Sequence, residues 1–189
     1  MANLKEIRTR INSVASTMQI TSAMKMVSAA KLKKAQDAII QIRPYAEKLR
    51  EIIIDISYNL DGDSESPFTQ KREIKKVLIV PIASNRGLCG AFNTSVIKAT
   101  EKCIEKNSEN EVEIYPIGKR VLEYFRGKYP VFNSSIEIFN TLNYNSASEI
   151  AEEIMASFLN GKFDKIEIIY NKFKNAATQE IIRHPFIPL

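Results

Sequence analysis

Apolar residues recur through the first third of the chain in alternating steps of three and four: Leu4, Ile7, Ile11, Val14, Met18, Thr21, Lys25, Ser28, Leu32, Ala35, Ile39, Ile42, Ala46, Leu49, Ile53, Ile56 and Leu60. Fourteen of these seventeen positions are apolar, and the three exceptions, Thr21, Lys25 and Ser28, are consecutive in the series. A strict 3,4 alternation is the seam of a left-handed coiled coil, narrower than the buried face of an ordinary surface helix. Helix formers dominate from Asn3 to Tyr58, with no glycine before Gly62 and one proline, Pro44. The seam keeps its phase across Pro44, so the pattern predicts one helix, bent near the proline where a backbone hydrogen bond is lost. At 1.5 Å per residue it would extend roughly 85 Å, far more than a small domain is wide. Such a seam needs a partner helix.

The grammar changes after Asp61-Gly62-Asp63-Ser64-Glu65-Ser66-Pro67, a loop by composition. Residues 1–60 are expected to form the shaft helix, 61–74 a linker and 75–189 an α/β domain. Within the last, Lys75–Ile82 is a continuous β-rich run, as in a strand buried on both faces. A helix is expected from Ala91 to Lys106 with Asn93 as a candidate N-cap, then a strand over Val112–Ile117 and a short helix from Lys119 to Arg126. A weaker strand is expected at Ile136–Phe139. Ser146–Leu159 reads as a helix opened by the capping box Ser146-Ala147-Ser148-Glu149 and ended at Gly161, with Ile150, Ile154, Met155 and Phe158 on its apolar face. Strands at Lys165–Tyr170 and Thr178–Arg183 complete the set. Strands alternating with helices indicate a small Rossmann-like three-layer domain on a mostly parallel sheet.

Charge sharpens the picture of the helix. The chain carries +5 overall. Up to Arg43 there are eight basic residues (Lys5, Arg8, Arg10, Lys25, Lys31, Lys33, Lys34, Arg43) against Glu6 and Asp37, a local excess of about +6. A basic shaft on a nearly neutral body points to an acidic surrounding surface. From Ala23 to Lys34 the seam turns polar while small and apolar residues occupy the whole circumference, the mark of a helix enclosed by protein. Its long basic side chains would meet whatever encloses it. No run of about eighteen uncharged apolar residues exists, so no segment reads as membrane-spanning. The opening Met1-Ala2-Asn3-Leu4-Lys5-Glu6 enters helix pattern at once, unlike a secretory signal or transit peptide, and a bacterial-type cytosol is the expected compartment.

Candidate chemistry is sparse. Ser84-Asn85-Arg86-Gly87-Leu88-Cys89-Gly90-Ala91-Phe92-Asn93 follows the first strand, where doubly wound folds bind ligands. Its glycine spacing is Gly-x-x-Gly, neither GxGxxG nor GxxxxGK[ST], so it reads as a tight strand-to-helix turn that presents Arg86 to a neighbour. Cys89, near a helix start and Arg86, is a candidate low-pKa thiol, but the single histidine, His184, suggests no base for it. Cys89 and Cys103 are expected to be reduced and mostly buried. Glu149, Glu152 and Glu153 read as carboxylates favoured by a helix N-terminus. No metal-ligand set and no cofactor site stand out. A nucleotide-binding enzyme and a basic coiled-coil nucleic-acid binder remain the alternatives to an interaction protein.

The segments Leu4-Lys5-Glu6-Ile7-Arg8-x-Arg10-Ile11, Gln19-Ile20-Thr21-x-Ala23-Met24-Lys25-Met26-Val27-x-Ala29-x-Lys31-Leu32 and Arg43-Pro44-Tyr45 resemble the N-terminal helix of the gamma subunits of F-type ATP synthases. The turn Ser84–Asn93 is similar to that family's SDRGLCGGFN, with Asn85 for aspartate and Ala91 for glycine, and Tyr170-Asn171-Lys172-Phe173 matches the end of a family strand. The resemblance implies a non-catalytic central-stalk rotor that couples transmembrane ion flow to ATP synthesis, without a cofactor or nucleic acid. Its implied partners are the alpha and beta subunits of the catalytic ring, the epsilon subunit and the ring of c subunits. Its implied place is peripheral, on the cytoplasmic face of the bacterial plasma membrane. Met24 and Lys25 would meet an acidic loop of the beta subunits, with Met26, Lys31, Lys33 and Lys34 completing the bearing, while Arg86, Gly87, Cys89 and Gly90 form the foot-domain turn. The polar gap at Thr21, Lys25 and Ser28 belongs to that bearing. The chain stops at Leu189, where the family continues into a long C-terminal helix, the usual partner of the seam. Without it, the seam is expected to self-associate or the helix to fray towards Met1.

Overall fold

The computed structural model describes residues 3–59, 66–70, 72–175 and 177–189, with the backbone alone at 57–59. The chain divides into two units, residues 1–64 and 65–189. The seam position Leu60 and most of the acidic loop lie outside the described residues. In the first unit, α1 runs unbroken over Leu4–Asn59 with Pro44 inside it. Local bonds serve its polar side chains: the hydroxyls of Thr9 and Thr17 each donate to the carbonyl four residues back at 2.9 Å, and Thr21 does the same to Thr17. Apart from Gln36 and Ile39, every described side chain of α1 is exposed.

The second unit is built on β1 (Lys76–Pro81), α2 (Phe92–Lys106), β2 (Glu111–Ile114), α3 (Lys119–Phe125), α4 (Tyr144–Leu159), β3 (Lys165–Phe173) and β4 (Gln179–Ile187). The sheet order is β2-β1-β3-β4, parallel except for the β3–β4 hairpin. Parallel neighbours require crossovers, which α2 and then α3 with α4 provide. The central strand β1 is apolar at consecutive positions because both faces are covered. Val77 and Ile79 pack with Val96, Cys103 and Ile104 of α2 and Val121 and Phe125 of α3. Leu78 and Val80 pack on the other face with Ile154 and Phe158 of α4. This is the three-layer arrangement the alternation predicted.

Several local expectations need correction. Glu137–Phe139 is a single 3-10 turn, not a strand; its neighbour Ser135 makes only an isolated bridge to Ile117. The capping box of α4 begins three residues earlier than expected. Asn143 is the N-cap, its Oδ1 accepting from Ser146 N at 2.9 Å while Asn143 N donates to Ser146 Oγ at 3.2 Å. Starting at Tyr144, α4 has no acidic residue in its first turn, so the dipole reading of Glu149, Glu152 and Glu153 fails. Glu153 instead accepts from Tyr115 Oη at 2.8 Å and Asn133 Nδ2 at 2.7 Å. Gly161 does end the helix: at φ 70° it brings its own N–H to Phe158 O and that of Lys162 to Ser157 O, both at 3.0 Å. β4 runs through Pro185 to Ile187 because, on an edge strand, proline need sacrifice no ladder donor; Pro185 lies opposite Glu167 at a register irregularity.

Gly118 and Glu167 fix this unit. Gly118 has φ 109°, and a Cβ there would lie 2.2 Å from the Ala83 carbonyl oxygen. Only glycine lets the start of α3 approach the end of β1 so closely. Glu167 is buried on the α2 face of β3. Arg183 Nε and Nη2 both donate to it, the latter at 2.8 Å, and Lys165 Nζ lies 2.6 Å from Oε1. The Cys103 thiol donates to Oε2 at 3.3 Å. Burial pushes the Glu167 pKa up, but the bonds from Arg183, Lys165 and Cys103 outweigh it and hold the carboxyl down at about 2. Burial, then the Glu167 charge, push the Cys103 thiol up to about 12.

Two stability measurements test these points. Gly118→Ala should cost roughly 3 kcal/mol or more in urea unfolding, through the backbone overlap together with the left-handed φ. Gly127→Ala, with φ 83° and open space around it, should lose only about 1–2 kcal/mol. Because the folded pKa of Glu167 lies below its unfolded value, its stabilisation is present above about pH 4.5 and lost as pH falls towards 2. Urea midpoints followed by tyrosine absorbance should therefore decline over that window by an amount on the order of 3 kcal/mol. Glu167→Gln should be less stable at pH 7 and lack that component of the decline.

Candidate functional site

The seam residues Leu4, Ile7, Ile11, Val14, Met18, Leu32, Ile42, Leu49, Ile53 and Ile56 all lie exposed along α1, and Ile39 is half-buried. Met18 and Leu4 are each about two-thirds exposed (68% and 66%). The expected bearing set is equally open: Met24 and Met26 are exposed, as are Lys25, Lys31, Lys33 and Lys34. None of those four lysines makes an ion pair among the described residues, although α1 does hold one further along, Lys48 to Glu51 at 2.8 Å. The segment is thus a cationic collar with methionines beside it, and no carboxylate of the described chain neutralises it.

The second surface is the turn from β1 into α2, and side-chain bonds build it. Asn93 is not the N-cap of α2; Ala91 is. The Asn93 side chain reaches back into the turn, accepting from Ser84 N at 3.0 Å and donating to Arg86 O at 3.1 Å. Ser84 Oγ donates to the same Arg86 carbonyl at 2.6 Å. Asn85 fastens the turn sideways, donating to Ile136 O at 2.9 Å and accepting from Lys119 N at 2.8 Å. At Gly87 the Arg120 guanidinium lies 3.2 Å from where a Cβ would stand, so a larger residue would have that side chain shift slightly. Gly90 turns the chain at φ 58°. The Arg86 side chain, exposed, has no hydrogen-bond or ion-pair partner among the described residues.

Two features of this turn were not singled out from sequence. Leu88 is fully exposed and stands at φ 59°, a conformation an ordinary side chain rarely adopts. Gly118 supports the turn from below; a lone glycine between the second strand and the short helix was the available signal. Cys89 is exposed, against the expectation of burial, and Cys103 is buried; both are free thiols. Cys89 Sγ lies 3.2 Å from Asn93 Nδ2. His184 sits on β4 opposite Ile168 of β3. Among the described residues no helix is long and apolar enough to cross a membrane, and no His/Cys/Asp/Glu group could hold a metal ion.

A long basic helix with an exposed apolar seam, followed by a Rossmann-like unit, is the layout of an interaction protein. The ATP synthase family pattern matches residues 3–189, and the chain belongs to the gamma-chain family of ATP synthases. It is 53% identical over 189 residues to the ATP synthase gamma chain of Flavobacterium psychrophilum, with all of this chain and 66% of that one aligned. It is 43% identical over 195 residues to that of Chloroherpeton thalassium, covering 64% of it. The chain therefore spans about two-thirds or slightly less of the length of these relatives. Among solved structures, it resembles a chain of the Tetrahymena thermophila mitochondrial ATP synthase central stalk and c-ring, at TM-score 0.72 and 27% identity, over 89% of this chain and 72% of that one. A chain of the Euglena gracilis mitochondrial ATP synthase rotor shares the fold at TM-score 0.63 and 22% identity, over 95% and 61%. These relatives favour neither the nucleotide-binding enzyme nor the nucleic-acid binder.

The two thiols provide a check on the turn. With a maleimide at pH 7, Cys89 should label within minutes. Cys103, buried and held protonated, should label at least about 100-fold more slowly and catch up only in denaturant. Peptide mapping of the modified chain measures both; fast labelling of native Cys103 would contradict the packing of α2 on β3.

Proposed function

We propose that this chain supplies the rotating central stalk of an F-type ATP synthase, as a non-catalytic subunit. The observation that carries this reading is the coincidence, on one helix, of an apolar seam and an unneutralised lysine collar. The seam supports pairing with a second helix, and the collar supports an acidic surround contributed by the alpha and beta subunits. Met24, Lys25, Met26, Lys31, Lys33 and Lys34 form the bearing in this reading, and residues 75–189 form the foot, with the Arg86 turn meeting a neighbouring subunit. Epsilon and the c ring are the partners proposed for the foot. The complex then lies at a bacterial plasma membrane, with this subunit peripheral on its cytoplasmic face and ion flow through the membrane driving its rotation. With the seam uncovered, isolated copies of the chain pair through α1.

Mixing the chain with alpha and beta subunits should yield a complex of one copy per three alpha–beta pairs on size exclusion, weakening as salt rises. Replacing Lys31, Lys33 and Lys34 by glutamate should reduce its affinity at least about tenfold while leaving the circular dichroism of the free chain unchanged. A chain that does not enter the ring, or a triple variant that binds as well as the parent, would sink the reading.

A further inference from the structure

The α/β unit holds a cleft of about 530 Å³ that neither the seam nor the collar uses. It opens at the carboxyl ends of β1 and β3. From β1 the chain crosses to β2 on one side of the sheet, and it later returns to β3 on the other. This is a topological switch point, where connections leave in opposite directions and a crevice opens between them. The volume lies within the range of small-molecule sites.

Its lining is mostly apolar and aromatic: Phe92 from the start of α2, Phe139 from the 3-10 turn and Tyr170 from β3. Arg86 is the only charged residue among those that line it. The backbone that carries Arg86 is held by the Ser84 and Asn93 bonds described above, so its side chain springs from a fixed base. The other polar groups are partly committed. Ser84 Oγ donates to Arg86 O, and each asparagine amide uses one of its two N–H groups: Asn85 Nδ2 on Ile136 O at 2.9 Å, Asn140 Nδ2 on Glu137 at 3.1 Å and Asn171 Nδ2 on Phe92 O at 2.8 Å. What remains open among the described residues is one guanidinium, the Tyr170 hydroxyl, the second N–H of each of the three asparagine amides and the side-chain oxygens of Asn140 and Asn171.

That inventory selects a ligand class. The lining carries a single formal positive charge, which balances a singly charged anion but leaves a phosphate group near charge −2 only half compensated. A carboxylate is satisfied by a single guanidinium through two parallel hydrogen bonds. The three aromatic side chains suit a flat ring system. We propose that in the chain free of the neighbour assigned to the Arg86 turn above, this cleft is a binding site for a small planar aryl carboxylate, its carboxylate on Arg86 and its ring among Phe92, Phe139 and Tyr170.

The test is a titration of the ¹⁵N-labelled 189-residue chain with 2-naphthoate, followed by amide shifts. Saturable shifts should appear at Ser84 to Arg86, Phe139, Asn140, Tyr170 and Asn171, with a dissociation constant of about 1 mM or lower. The neutral isostere 2-naphthamide should bind at least about tenfold more weakly, as should naphthoate to Arg86→Gln, while Arg86→Lys should recover part of the loss. Phe139→Ala, at a half-exposed ring, should weaken naphthoate several-fold and leave the amide spectrum of the remaining core in place. Shifts scattered over the chain, equal binding of naphthoate and naphthamide, or an Arg86→Gln variant that binds normally would each overturn the proposal. So would cyclohexanecarboxylate binding as tightly as naphthoate, since the aromatic walls would then contribute nothing.

Discussion

The stripe of leucine, isoleucine, valine and methionine along α1 constrains everything else about this protein. A helix of 56 residues that leaves such side chains in water forgoes about 1–2 kcal/mol at each of them relative to burial. Helices in proteins draw most of their stability from packing one face against the rest of the fold. Here that face waits for a partner, so the stability of α1 and its activity as an interaction surface are the same quantity. The polar interruption at Thr21, Lys25 and Ser28 costs α1 little locally, since Thr21 satisfies its hydroxyl on its own helix. It removes apolar contact from a short stretch of the seam, and there the lysine collar takes over.

The α/β unit has the opposite economy. Its central strand is covered on both faces, and among the described residues no buried side-chain nitrogen or oxygen lacks a hydrogen-bond partner. Charge is admitted to the interior once, at Glu167, and there it is shared among Arg183, Lys165 and Cys103. The carboxylate ties β3 to β4 and both to α2, so the antiparallel edge strand is held by more than its ladder. The same rigidity extends to the carboxyl edge of the sheet. Gly118 against the Ala83 carbonyl, Asn85 between Ile136 and Lys119, and Asn93 folded back onto Ser84 and Arg86 brace one turn from three directions. A strained, fully exposed Leu88 persists only because that surrounding structure determines it.

Most of this architecture was legible from periodicity. The 3,4 alternation specified α1, and the consecutive apolar residues Val77 to Val80 specified a strand buried on both faces. What escaped was chemistry decided by contacts distant in sequence. Asn93 looks like an N-cap when read locally, yet its side chain faces the turn it closes. Ile136–Phe139 has strand composition, but pairing along the β2 edge stops at the isolated bridge of Ser135 to Ile117 and the chain turns into a 3-10 turn at Glu137–Phe139. Glu167 reads as an alternating polar residue on a strand, and nothing near it in sequence except Lys165 hints at the arginine that neutralises it. Pro185 hid the last residues of β4 because its position on an edge is a tertiary fact. In the site, the residue types were visible but their exposure was not: Cys89, in a glycine-bounded turn, and Cys103, within a helical stretch, were expected to be buried alike, and only Cys103 is.

The choice of cation distinguishes the two surfaces physically. Between residues 25 and 34 every basic residue is lysine. A lysine ammonium is a strongly hydrated point charge on a flexible stem, attracted to an acidic surface without demanding a particular geometry. Arginine, planar and bidentate, rewards a fixed partner in a fixed orientation. In the proposed function, a shaft that turns against its surround would need attraction that varies little with angle, the kind an all-lysine collar on an exposed helix offers. The braced turn carries Arg86 instead, and bracing is of use only where direction matters. Under that proposal, lysine on α1 and arginine on the α/β unit suit, respectively, a contact that slides and one that holds its partner in place.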